Sequence, residues 1–224
     1  MLDAGSGVGH VALRLASKYG YRVLGIDVVD HHVEKAKRNV GKAGGEVEVE
    51  VRKMDYHHLE DLEEGRFGGV YTMETFVHAT DPMTVLANFH RVLRPGGRIA
   101  LFEYDHTLPT SLHEDLAHSM HIINDYAAMP TNALSQPGVF EAMLKEAGFV
   151  DVEVRDFSKN IVPMTKLFWR IAYVPYLAVR FLGMERWFIN TVAGVNSYKG
   201  HEHWRYVAIS ATKPGGKLEA AKSR

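Results

Sequence analysis

The sequence predicts a doubly wound α/β domain on a seven-stranded sheet, and three observations predict it. Met1 to Asp27 reads as a buried strand, a glycine-rich turn, a helix and a second strand ending in a carboxylate. Apolar runs and amphipathic helices then alternate along the chain, the pattern that lays strands side by side in a mostly parallel sheet. Asp27 follows the turn by about 20 residues, where such a sheet places an acid to accept hydrogen bonds from ribose hydroxyls.

Each element has a local reason. In Asp3-Ala4-Gly5-Ser6-Gly7-Val8-Gly9 the glycines let the backbone turn sharply, approach a ligand and open a helix whose first amides are free for an anion. Val8 to Tyr19 carries Val11, Ala12, Leu15 and Tyr19 on one helical face, and Gly20 ends it. Arg22 to Asp27 is the second strand. Asp30 is the expected cap of a helix to Val40 with Val33, Ala36, Lys37 and Val40 inward. After Gly44-Gly45, EVEVEVRKMD alternates valine with glutamate, as expected of a half-exposed edge strand that charge protects from wrong pairing.

Gly69 to Met73 is the fourth strand, leading into Glu74-Thr75-Phe76-Val77-His78. Asp81-Pro82 starts a helix as N-cap and first-turn proline, and Pro95-Gly96-Gly97 is expected to stop it. Arg98 to Tyr104 is the fifth strand. Pro109 to Ala128 predicts an amphipathic helix with Leu112, Leu116, Met120, Ile123 and Ala127 as its stripe. Pro137 to Ala147 is another helix, Phe149 to Phe157 the sixth strand and Trp204 to Thr212 the seventh. Residues 1–213 form one domain and 214–224 a polar tail expected to be disordered.

Composition excludes several classes. A net charge of −1 over 224 residues gives no nucleic-acid footprint. The absence of cysteine excludes disulfides, thiolate nucleophiles and thiolate metal sites. No signal peptide or uncharged membrane span is visible, so a soluble cytoplasmic protein is the expectation.

The glycine turn alone also fits a nicotinamide or flavin domain, but its third glycine comes one residue early for the G-x-G-x-x-G fingerprint. D-A-G-S-G-V-G with RVLRPGGRIALFEY, in this order and spacing, resembles the class I S-adenosylmethionine-dependent methyltransferases. The layout resembles their sterol and tocopherol branch of small-molecule enzymes. The resemblance is strong over Met1 to Asp105 and loose between the last two strands.

It implies a Rossmann-like sheet, mostly parallel with an antiparallel last strand. It implies S-adenosylmethionine as cofactor and S-adenosylhomocysteine as product. The positions matching the family's cofactor contacts are Asp3, Gly5, Gly7, Gly9, Asp27, Val28, Asp55, Tyr56 and Glu74. Asp3 would fix the ammonium, directly or through water, and Asp55 would accept from the adenine amino group. A plain helix cap is the alternative for Asp55. Members of this family usually carry helices before the first strand, so a shortened start is expected here.

Residues 158–203 form an apolar insertion containing Leu167, Phe168, Ile171, Val174, Leu177, Phe181, Trp187 and Phe188. Pro163 and Pro175 are expected to divide it into short helices. A lid over an apolar small-molecule substrate is the functional reading, and an extra packing layer or a homo-oligomer contact is the plain one. Basic residues among aromatic ones make membrane contact through 161–193 a third reading.

Glu74 and His78 after the fourth strand, and Asp105 after the fifth, are the candidate catalytic groups, since ligands bind at that end of the sheet. Glu103, Tyr104, Asp105 and His106 are expected to face one crevice. His118, His121 and Asp125 share a helical face, but no metal site is expected. His31-His32 and His57-His58 are expected on surface helix starts, without a chemical role. The function these features imply is methyl transfer to carbon or oxygen of a sterol, terpenoid, polyketide or prenylated acceptor. The alternative is a methyltransferase-like fold used for non-methylating cyclase or isomerase chemistry, or as a binding subunit.

Overall fold

The computed structural model describes residues 1–45, 47–107 and 114–215, the side chains of 114–116 and 119 excepted. Seven strands form one sheet: β1 (Leu2–Ala4), β2 (Val23–Asp27), β3 (Val49–Lys53), β4 (Phe67–Met73), β5 (Leu93–His106), β6 (Val150–Asp156) and β7 (Trp204–Thr212), in spatial order 3-2-1-4-5-7-6. Strands 1 to 5 pair in parallel, while β7 runs antiparallel between β5 and β6. The alternating valine–glutamate segment is an edge strand, as its pattern predicts.

Among the described residues seven α-helices flank the sheet: α1 (His10–Tyr19), α2 (Asp30–Ala43), α3 (Pro82–Val92), α4 (Glu114–Tyr126), α5 (Val139–Glu146), α6 (Ser158–Phe181) and α7 (Ile189–Lys199). Alternation along each strand splits the sheet into two faces. Leu2, Ala4, Leu24, Ile26, Val70, Ile99, Leu101, Val207 and Ile209 share a core with α3 and α5, through Val85, Leu86, Phe89, Phe140 and Leu144. On the opposite face Val51 packs with Val33 and Ala36 of α2. There Met1, Tyr71, Phe102, Ala208 and Ser210 line an open hollow of about 1300 Å³.

Four boundaries differ from the sequence expectation. Val29 takes the cap position of α2, and Asp30 instead enters the helix and pairs with Lys53 Nζ at 2.7 Å. Helix α3 ends at Val92 because Leu93 already turns extended and pairs with Phe67. The Arg94–Gly97 segment is therefore an outward bulge within β5, pinned where Gly96 N–H donates to Lys213 O and Lys213 N–H to Gly97 O. The third difference is that β4 begins at Phe67, two residues before the expected Gly69, where Phe67 pairs with Leu93. Pro109 and Leu112 lie outside the described residues, as does the tail beyond 215, and α4 is described from Glu114.

The fourth difference is larger: Pro163 and Pro175 do not break the insertion, because both lie inside the 24-residue helix α6. Pro163 falls in the second turn. Pro175 forfeits only the bond to Ile171, a residue 67% exposed, where solvent can satisfy the freed carbonyl. Helix α7 folds back on α6 through Tyr176, Val179, Val192 and Val195. Leu167, Val174, Phe181 and Trp187 stay exposed. Among the described residues no helix is long and apolar enough to cross a membrane.

Candidate active site

The carboxyl ends of β1, β2 and β4, with the loop after β3, converge on the glycine turn. Gly5, Gly7 and Gly9 all take positive φ, at 90°, 52° and 80°. The three do different work. A Cβ on Gly5 would lie 2.5 Å from Thr75, so this glycine lets the turn after β4 pack against the turn after β1. A Cβ on Gly9 would meet Ala36 at 3.3 Å, so the third glycine serves the contact of α1 with α2. A Cβ on Gly7 would meet nothing within 4 Å. Its bare backbone faces open space, as a ligand cradle requires.

Carboxylates rim that space. Asp27 is 9% exposed and accepts from Gly7 N–H (2.8 Å) and Val29 N–H (2.9 Å), with His32 Nδ1 3.4 Å away. Further lone pairs of its oxygens remain for a diol. Val28 beside it is exposed. Asp3 is 2% exposed and its Oδ2 makes no hydrogen bond among the described residues. Burial pushes its carboxyl up to about 7, although the Tyr71 hydroxyl, close by but without a well-formed bond, pulls the other way. An orphaned buried carboxyl beside a glycine turn suits a cationic ligand group, and an ammonium fits it.

Asp55 follows β3 at the same end. Its Oδ1 accepts from the backbone and ring Nδ1–H of His57, at 2.9 and 2.7 Å. Burial works against the anion there, but the His57 donors outweigh it and hold the carboxyl below its ordinary value. His57 differs from expectation: its Nε2 accepts from Thr80 N–H at 3.2 Å, so the ring ties two loops together. Tyr56 donates to Thr75 O at 2.9 Å.

Thr75 is the junction, and sequence reasoning passed over it. Its hydroxyl donates to Ala4 O at 2.7 Å and its amide to Glu103 Oε1 at 3.1 Å. Glu103 Oε1 also accepts from Phe76 N–H (2.8 Å) and Thr72 Oγ1–H (3.2 Å). Nothing short of the fold shows this, because the contacts join residues 19 to 71 positions apart.

Beyond this junction a cavity of about 870 Å³ opens between the ends of β4 and β5 and helices α4, α6 and α7. Its walls are mainly apolar, with Met120, Ile123, Met164, Phe168 and Ile171 among them. Of the three candidate catalytic groups, Glu74 and His78 reach it. Glu74 sits at φ 55°, a conformation costly for a residue with a side chain, and burial in the hollow raises its carboxyl against the opposing Tyr206 hydroxyl. His78 Nδ1–H donates to Ala128 O at 2.9 Å, which leaves Nε2 with its lone pair. Asn132 and Trp204 also line the cavity, unmarked by any local motif.

Asp105 does not reach it. Of the four residues expected to face one crevice, Glu103, Tyr104 and His106 line this cavity, while Asp105 is turned to the sheet face opposite Tyr104 and His106. Asp105 is 3% exposed and forms a two-point ion pair with its cross-strand neighbour Arg205, its Oδ1 accepting from Nε at 3.0 Å. On α4, His121 pairs with Asp125 at 3.4 Å, both exposed.

Residues 2–101 match the methyltransferase domain family. The chain is 42% identical over 218 residues to an S-adenosyl-L-methionine-dependent Diels-Alderase (iccD) of Talaromyces variabilis, covering 96% of this chain and 74% of that one. It is 31% identical over 170 residues to the O-methyltransferase cnsE of Penicillium expansum, covering 75% of this chain and 58% of the relative. In structure it resembles the [4+2]-cyclase SpnF, with a TM-score of 0.75 at 20% identity, over 96% of this chain and 75% of the other. It also resembles a geranyl diphosphate methyltransferase in complex with S-adenosylmethionine, at 0.72 and 19%, over 95% and 77%. By fold, by glycine turn and by sequence, the chain belongs to the class I S-adenosylmethionine-dependent methyltransferase family.

Proposed function

We propose that the protein is an S-adenosylmethionine-dependent cyclase, closing a ring in an apolar polyene by [4+2] cycloaddition without methyl transfer. The observation that carries this reading is 42% identity to a Diels-Alderase along 96% of the chain. It replaces the sterol reading with a cyclisation substrate, and keeps the apolar small molecule.

The chemistry suits the cavity. A cycloaddition needs a flexible chain folded so that diene and dienophile meet, and the cost is mainly entropic. Apolar walls from α4, α6 and α7 would impose that fold, with no base required. In the adjoining crevice Asp3 would hold the cofactor's ammonium, Gly7 would admit its backbone approach, and Asp27 would accept from its ribose. When bound, S-adenosylmethionine supplies a fixed positive charge close to the cavity.

Methyl transfer to an oxygen acceptor is the second reading, favoured by Glu74 and His78 in the cavity wall and by the O-methyltransferase relative. The two separate in one experiment. Purified protein is incubated with a linear polyene carrying an activated alkene and with S-adenosylmethionine labelled in its methyl group. A ring-closed isomer of unchanged mass and no label is expected. Labelled product of higher mass, without ring closure, decides for methyl transfer.

A further inference from the structure

Glu103 is the most deeply buried acid at the site. Its side chain is fully shielded from solvent and lies in the wall of the apolar cavity. Its two oxygens have different surroundings. Oε1 accepts three hydrogen bonds, from Thr75 N–H, Phe76 N–H and Thr72 Oγ1–H. Oε2 has none among the described residues. A buried polar atom left without a partner is costly to desolvate, so its retention calls for a reason. Capping the turn after β4 needs only Oε1.

We infer that Glu103 is a hydrogen-bond donor to a carbonyl of the substrate, with Oε2–H directed into the cavity and Oε1 fixing the carboxyl in place. This deepens the cyclase reading, and rests on it, by naming the substrate class: a polyene whose reacting alkene is conjugated to a carbonyl. Three donors at Oε1 leave Oε2 as the place for the proton.

The protonation state fits. Burial pushes the Glu103 carboxyl up to about 8, while the Phe76, Thr72 and Thr75 donors pull it down, and the nearby Glu74 carboxylate adds to the rise. Tyr104 beside it on β5, Tyr206 on β7 and Tyr56 after β3 face the same region, all with hydroxyls raised by burial and by neighbouring carboxylates. His78 and His106 stand in the same cavity wall. Near neutral pH the acid is therefore largely in its neutral, donating form.

The step balances without a co-reactant. Six π electrons become two new carbon–carbon σ bonds and one new π bond, and no atom is gained or lost. The proton stays on Oε2 throughout. Its hydrogen bond withdraws electron density from the carbonyl and so activates the conjugated alkene, the role preorganised donors play at developing oxyanions.

The test compares Glu103→Gln and Glu103→Leu. Glutamine keeps an acceptor at Oε1 and places an N–H donor at Oε2 that does not titrate, whereas leucine offers neither. The probe is a linear polyenone with a ¹³C-labelled carbonyl, read by infrared difference spectroscopy with S-adenosylmethionine present. In the wild type the bound carbonyl band moves to lower frequency at pH 6 and loses that shift by pH 10. Glu103→Gln keeps the shift at both pH values, and Glu103→Leu has it at neither.

Cyclisation follows the same order, falling on the order of a hundredfold in Glu103→Leu. A wild-type shift that ignores pH, a shift retained in Glu103→Leu, or a polyenone that does not bind would each overturn the inference. If nothing is cyclised, the cyclase reading fails, while the carbonyl shift still decides the role of Glu103.

Discussion

The Gly7 amide donates to Asp27 Oδ2 over 2.8 Å, joining the glycine turn after β1 to the acid that ends β2. The two residues are 20 positions apart, and the contact places the cradle and the ribose acceptor in one crevice. Tyr56 and Thr75 continue the rim from the end of β3 back to Ala4.

The glycines of that turn should separate by phenotype. Gly5→Ala must push Thr75 away from a 2.5 Å contact and hold φ at 90°, so a loss of roughly 2–4 kcal/mol in denaturant unfolding is expected. Gly7→Ala meets no atom within 4 Å and pays only for its φ of 52°, about 1 kcal/mol. It should still lose S-adenosylmethionine binding by at least about tenfold in calorimetry, since its methyl group fills the cradle. Equal binding by Gly7→Ala and wild type would move the cofactor elsewhere.

Asp3 sets a pH dependence of stability with a definite sign. Its carboxyl sits at about 7 in the folded chain against an ordinary 3.8, so the folded state holds a proton the unfolded state has lost. The contribution is full below 3.8 and is lost as pH rises through about 7. Asp3→Asn removes that loss. Urea titrations of the two proteins should therefore diverge in the variant's favour between pH 4 and pH 8, on the order of 4 kcal/mol at the upper end.

Asp105 is expected to matter for stability more than for turnover. Asp105→Ala unpairs a buried two-point contact to Arg205, whose own side chain is 40% exposed and can rehydrate. A cost of about 2–3 kcal/mol in thermal or urea unfolding is expected, with turnover at low temperature within about twofold of wild type. A large loss of turnover with unchanged stability would return Asp105 to the chemistry.

Glu74 and His78 in the cavity wall discriminate the two reactions. A cycloaddition moves no proton, so His78→Ala and Glu74→Gln should lower cyclisation by less than about tenfold. Methyl transfer to a hydroxyl requires a base, and loss of one typically costs on the order of 10²–10⁴ in rate. Steady-state rates of both variants on the same substrate make the comparison.

Much of the molecule was legible in its local patterns. The Asp81-Pro82 start of α3 shows its reason in the structure, where Asp81 Oδ1 accepts from Thr84 N–H at 3.0 Å. The alternation of Val47 to Val51 predicted an edge strand, and β3 is one. The reading of Pro163 and Pro175 as breaks failed because a helix packed along one side tolerates proline on the other. Its place at the ligand-binding end of the fifth strand makes Asp105 a candidate site acid, but strand alternation carries it to the face where Arg205 lies across the ladder.

The sequence by itself determined the order of elements, the positive-φ turn and the end of the sheet where carboxylates gather, because periodicity and glycine act over a few neighbouring residues. Only the tertiary structure decided that Thr75 locks three loops together, that α6 and α7 roof an apolar cavity, and that Glu103 keeps one oxygen satisfied and the other bare. Those outcomes depend on which residues meet across strands and loops, and on the water each meeting expels, neither of which a local pattern encodes.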